Sequence, residues 1–347
     1  MIAARHLSMP PEWYPHTRCW MAWPCRNATW GSFEAMGKAK RTVVQLAHTI
    51  ARFEPVTVVT RIQDRGEAKT LCGPTIDIQS WPLSDSWLRD SGPTFVHRPN
   101  GRLVALNWRF NAWGGRYSPY REDVQITERI AHYLQTEHIP VPLVLEGGAI
   151  HVDGEGTLLT TAECLLDPRR NPNHSRGDLE SLLAQYLGVA KVIWLERGLT
   201  DDAARGHIDN LACFTRPGEV LIQVASDPAD PDYPVTQEAL ACLAAATDAR
   251  GRSLTITTVE QPTPRHYSDG RRLMQSYTNN YLANGAVLMP TYRDPERDAA
   301  AREVYARVFP EREVVPFPAG ALIQGGWGLH GVTQQQPAGG FAMAPAA

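Results

Sequence analysis

"AIHVDGEGTLLTTA" (residues 149–162), "DLESLLAQYLG" (178–188) and "KVIWLE" (191–196) make up the unit whose reading decides the fold. Two short β-type runs are separated by turn residues, the pattern of a hairpin. A helical stretch follows, and then an apolar run that reads as a strand. The same order returns along the chain. "LACFT" and "EVLIQV" form another hairpin, followed by the helix "VTQEALACLAAATDA" and the strand "SLTITTVE". "DVQITERIAHYLQTEH" reads as a helix before the strand "VPLVLE", and "RDAAAREVYARVF" as one before "EVVPF". Between Ser32 and Phe53, Val43, Val44, Leu46, Ala47 and Ile50 recur at helical spacing, and "PVTVV" follows as a strand. A recurring hairpin, helix and strand argues for a repeated mixed α/β module rather than a Rossmann sheet. No low-complexity linker divides residues 1–347, so a single domain is expected.

Composition narrows the function. The chain has 347 residues and a net charge of -3, with no basic stripe for nucleic acid. No apolar run reaches the ~18 residues of a membrane span, and "MIAARHLSMPPEWYPH" carries no apolar leader core. A cytoplasmic protein acting on a small molecule is expected. Six cysteines (Cys19, Cys25, Cys72, Cys164, Cys213, Cys242) lack C-x-x-C spacing, so neither a metal site nor a disulfide scaffold is expected. No cofactor motif survives inspection. Gly326, Gly328 and Gly331 spell G-x-G-x-x-G after the strand-like "GALIQ", but Pro337 follows too soon for the helix a dinucleotide needs. On its own, that loop reads as a tight bend between strands with a surface His330.

Polar residues gather at four places: Asp85, Arg89 and Asp90; Glu146, His151 and Asp153; His207 and Asp209; and His330. Singly, each has a plain structural reading, as an Asx turn, a strand cap or a satisfied core histidine. Together they suit a planar cation. A guanidinium offers donors in a flat fork that two carboxylates can clamp. Asp90 and Asp209 are the candidate clamps, His207 the proton shuttle and Glu146 its partner. Aromatic residues in loops, Trp87 in "DSWLRD" and Trp113 in "NAWGGRY" among them, are candidates to line such a site.

"DSWLRDSGPTFV", "FNAWGGRY", "LEGGAIHVDGEGTLLTTAECLL", "GHIDNLACF", "RPGEVLI", "ANGAVLMP" and "HGVTQQQP" resemble, in order and over nearly the whole chain, the agmatine deiminase family, close to the bacterial peptidyl-arginine deiminases. The resemblance implies a pentein α/β propeller: five ββαβ-type modules about a pseudo-fivefold axis, with the site in the central channel. It also implies a small guanidino substrate and a homo-oligomer. Asp90 and Asp209 match the family's guanidinium-holding residues, His207 its acid/base and Glu146 its further catalytic carboxylate. Trp87, Trp113, Asn280, Trp327 and His330 are expected to line the substrate, Asn280 standing where the family usually has Phe.

One departure bears on the chemistry. The family's closing motif, G-G-G-N-I-H-C, ends in the cysteine that attacks the guanidinium carbon. Trp327, Gly328 and Gly331 stand here in place of its Gly, Asn and Cys. The nucleophile position is vacant at Gly331. Without a thiolate to form the covalent amidino intermediate, ordinary agmatine or arginine deimination should be weak or absent. Two readings stay open: a guanidine-modifying enzyme with a Cys-independent mechanism, and a guanidine-binding or regulatory relative without catalysis. Gly331 is expected to leave a side chain's worth of space, filled by water or by a substituent on the substrate. A two-metal ureohydrolase needs several D-x-H clusters, and only "GHIDN" comes near that pattern.

Overall fold

A computed structural model describes residues 7–343. The leader-free reading of residues 1–16 therefore rests partly on residues 1–6, which lie outside the described residues. Among the described residues, no helix is long and apolar enough to cross a membrane.

The repeated unit expected from the sequence is present five times. Four sheets have three strands each: an antiparallel hairpin, then a helix, then a strand parallel to the second of the pair. Their strands are Thr94–His97, Leu103–Arg109 and Glu137–Val144; His151–Val152, Thr157–Thr161 and Lys191–Leu195; Ala212–Arg216, Glu219–Val224 and Thr255–Glu260; and Tyr281–Ala283, Ala286–Thr291 and Glu313–Pro318. In the fifth sheet the hairpin is made by the two chain ends. Thr333–Pro337 pairs antiparallel with His16–Ala22, which runs parallel to Val56–Thr60, and Asp77–Ser80 extends that sheet.

The crossover helices form for local reasons. In Phe33–Ile50, Met36, Ala39, Val43, Leu46, Ala47 and Ile50 make one buried stripe, and the Ser32 side chain caps the first turn by accepting from the Ala35 N–H. Arg176–Leu187 begins with a reciprocal Ser175 and Asp178 capping box and ends on the left-handed Gly188. Pro295–Val308 starts with Asp294 as cap and proline in its first turn.

Two boundaries differ from the sequence reading. The helix expected through "QTEH" stops at Leu134, because Gln135 turns left-handed and its N–H caps the Ala131 and His132 carbonyls. Glu137–Val144 can then carry Pro140, since it pairs only with Leu103–Arg109 and is an edge strand. "GALI" is a short helix, Gly320–Ile323, rather than a strand.

Asp123 anchors the approach to the first hairpin, accepting from the backbone N–H groups of Ser84 (2.7 Å) and Asp85 (3.3 Å). Burial pushes its carboxyl up to about 7 and Asp85 adds to the rise, although the Ser84 N–H opposes it. The folded chain thus keeps a proton that the unfolded chain releases near pH ~3.9. The resulting stabilisation is complete below that pH and is lost as pH rises through about 7. In unfolding midpoints followed from acid to neutral pH, Asp123→Asn, which keeps the acceptor oxygen, is expected to flatten part of that decline.

Candidate functional site

Each module is entered through a short turn just before the first strand of its hairpin. Leu88–Ser91, Gly147–Ala149, Ile208–Asn210, residues 276–280 and Leu329–Val332 occupy these equivalent positions. The turns meet one another. The Gly148 N–H donates to Asp90 (3.0 Å), Asn279 Nδ2 donates to Asn210 Oδ1 (3.0 Å), and the His330 N–H donates to Asn279 Oδ1 (3.0 Å). The fold therefore brings to one centre residues that lie far apart in sequence.

Glycine makes the close approach possible at Gly148. A Cβ there would stand 2.5 Å from His207 Nδ1, 2.8 Å from Asp209 and 3.1 Å from Asp90. Asp202 shapes the loop that delivers His207, its carboxylate accepting from the N–H groups of Ala204, Gly206 and His207.

At the centre, His207 Nδ1 lies 3.9 Å from Asp90 Oδ1 and 4.0 Å from Asp209 Oδ1, and its Nε2 lies 3.4 Å from Glu146 Oε2. All four side chains are buried. Burial, the largest single influence, would depress the His207 pKa, but Asp90, Cys164 and Glu146 together outweigh it, and the imidazole is held well above its usual range. Burial pushes Asp90 up to about 6 despite the His207 charge. Glu146 is pulled the other way: burial would raise it, yet Arg170 and His207 keep it below the usual range. Arg170 Nε reaches both Glu146 oxygens at 3.0 Å, and both side chains are fully buried.

The clamp candidates carry different partners. Asp90 accepts from Gly148 N–H through one oxygen and from Trp113 Nε1 (2.9 Å) through the other. Asp209 gives Oδ2 to His330 Nδ1 (2.8 Å), while its buried Oδ1 has no hydrogen-bond partner. Such an oxygen suits a donor from a bound cation.

His330 corrects one expectation. It is buried rather than on the surface, and its second nitrogen, Nε2, lies 2.7 Å from Glu12 Oε1. Asn280 is not joined to the cluster: its Nδ2 donates to the Thr278 carbonyl and faces the Cys213 sulfur. Asp85 and Asp153 are structural, accepting from Thr29 and Ser86 and from the Glu155 and Thr157 N–H groups respectively. Arg89 bonds the His330 carbonyl and Glu12, and His151 Nδ1 accepts from the Phe214 N–H.

The space expected at Gly331 is closed. A Cβ there would lie 3.0 Å from Trp327 Cβ and 3.3 Å from its Cδ1. The Trp327 ring is itself held between Trp113 and Trp87, with centroids 4.4 and 4.7 Å away, and Trp30 packs on Trp87 at 5.5 Å. Trp327 thus covers the position from its own loop, and neither water nor a substrate substituent is needed to fill it. Gly328 is packed more tightly still, since a Cβ there would run into Asn279 Oδ1.

Glu12, Cys164, Arg170 and Asn279 belong to the centre and were not read from the sequence as site residues. Glu146, Cys164 and His207 offer ligand atoms within 4.8 Å of one another, the group among the described residues that could hold a metal ion. The Arg170 guanidinium on both Glu146 oxygens opposes a further cation there.

Five ββαβ sheets closed by the chain termini around converging turns define a pentein. Residues 8–337 match the model of the Porphyromonas-type peptidyl-arginine deiminase family, and the chain belongs to that family. It is 43% identical to an agmatine deiminase of Pseudomonas syringae pv. tomato, covering 95% of each chain, and 41% identical to one of Stutzerimonas stutzeri over the same shares. The solved agmatine deiminase of Enterococcus faecalis superposes with a TM-score of 0.89 at 32% identity, covering 95% of this chain and 96% of that one.

Proposed function

We propose that this protein binds the guanidinium of a small guanidino compound between Asp90 and Asp209 and modifies it without a thiolate. The observation that carries this reading is the pair of buried carboxylates flanking His207, one of them with an unpartnered oxygen. The agmatine deiminase relatives support the substrate class.

In this reading Asp90 and Asp209 hold the flat cation and neutralise it. Its charge competes with the His207 proton for Asp90, so the bound complex contains a neutral imidazole. That imidazole takes a proton as a water oxygen bonds to the guanidinium carbon. It then returns the proton to the departing nitrogen as the C–N bond breaks, leaving a ureido group and ammonium. Glu146, fixed by Arg170, orients Nε2.

The competition predicts a pH dependence. Agmatine affinity by calorimetry should strengthen as pH rises past the ordinary histidine range and His207, whose pKa is held well above it, gives up its proton, and level off once the imidazole is neutral. His207→Gln should remove this slope. Agmatine binding that is absent at every pH sinks the proposal.

Trp327 over Gly331 favours a second reading, a guanidine binder without turnover. Ammonia or ureido product formed from guanidino compounds and lost in His207→Gln marks the enzyme; binding with no product marks the binder.

A further inference from the structure

His330 is gripped by carboxylates at both ring nitrogens, Asp209 Oδ2 at 2.8 Å and Glu12 Oε1 at 2.7 Å. Two anionic acceptors require two N–H donors, and only the imidazolium supplies both. The surroundings agree. His330 meets Asp209 and Glu12 directly, Arg89 lies alongside with its Nε on the His330 carbonyl, and His151 Nε2 faces Glu12 Oε2 at 3.8 Å. Burial would raise Glu12, but His330, Arg89 and His151 hold it well below the carboxylate range. His330 in turn is raised, because Glu12 and Asp209 outweigh its burial and the Arg89 charge.

We propose that Glu12 and His330 are positioning residues for the guanidine site. They act through Asp209, committing its Oδ2 to the His330 ring so that the unpartnered Oδ1 is presented to the ligand. Glu12 comes from the segment just before the first strand, so this chain of contacts ties the N-terminal segment to the turn of the closing module. The inference rests on Asp209 being a guanidinium clamp.

The test uses the whole protein, agmatine as the probe, and two readouts. Nuclear magnetic resonance of 15N-histidine protein should show both His330 N–H protons, identified by their loss in His330→Gln. Glu12→Ala should lose the Nε2–H signal and weaken agmatine binding about tenfold or more. Glu12→Gln, whose amide oxygen still accepts from Nε2–H, should recover most of that affinity, a rescue that generic destabilisation does not give. If Glu12→Ala does not fold, His330→Gln carries the test: its amide can donate to Asp209 but cannot also reach Glu12, and binding should fall likewise. Wild-type affinity in the folded variants, no rescue by Glu12→Gln, or one N–H proton on His330 overturns the proposal. Both protons present in a wild type that binds no agmatine overturns the guanidine reading, and leaves the fixing of Asp209 supported by the spectrum.

Discussion

A Gly331→Cys, Trp327→Gly double variant is expected to release ammonia from agmatine at a rate on the order of 10² or more above the unaltered chain, whereas Gly331→Cys alone stays near background. The backbone is ready for the substitution: Gly331 sits in the helical turn Leu329–Val332, which accepts any L side chain. The obstacle is the indole. A Cβ at residue 331 meets Trp327 Cβ at 3.0 Å, and Trp327 cannot retreat easily from between Trp87 and Trp113. A thiol introduced alone is therefore covered. Removing Trp327 empties a buried aromatic site and costs about 3–5 kcal/mol, so the double variant's unfolding midpoint must be measured beside its activity. Adding Asp90→Asn should abolish the gained activity, tying it to the carboxylate clamp. A single Gly331→Cys variant as fast as the double would mean that Trp327 does not guard this position.

The elements that were legible in the sequence are those with a physical period. Apolar residues at helical spacing gave Phe33–Ile50, and runs such as "VLIQV" gave middle strands that are buried almost throughout. Ring closure was not legible. Thr333–Pro337 is a polar run, yet all five of its residues are buried, with Gln336 accepting from Trp20 Nε1 (3.0 Å). A strand made of glutamines carries no hydrophobic alternation to read.

The candidate clamps and His207 were legible because carboxylates and histidine beside glycine stand out in a loop. Their partners were not. Glu12 meets His330 from the far end of the chain, and Arg170 reaches Glu146 from "DPRRNP", where an arginine ordinarily faces solvent. The Trp327 packing was hidden for another reason: a tryptophan in a glycine-rich loop states a large volume, not the direction the ring takes.

Glu146→Ala is expected to destabilise the protein by about 3–5 kcal/mol, read as a lower unfolding midpoint. Arg170 explains the size. Its guanidinium is completely buried, and without Glu146 its nearest remaining carboxylate is Asp167 at 3.4 Å, which Arg169 also holds at 2.9 Å. A stranded guanidinium costs more than the lost contact. Replacing both members by apolar residues, as in Glu146→Leu with Arg170→Met, should therefore be less destabilising than Glu146→Ala alone. Glu146→Gln separates the two roles of this residue. It keeps an acceptor for Arg170 but gives up the charge that raises His207, so folding should survive better than in Glu146→Ala. The pH at which agmatine affinity levels off should then shift downward, because His207 loses its proton more easily. An unchanged pH profile in folded Glu146→Gln would confine Glu146 to structure and leave Asp90 to hold the imidazole's charge.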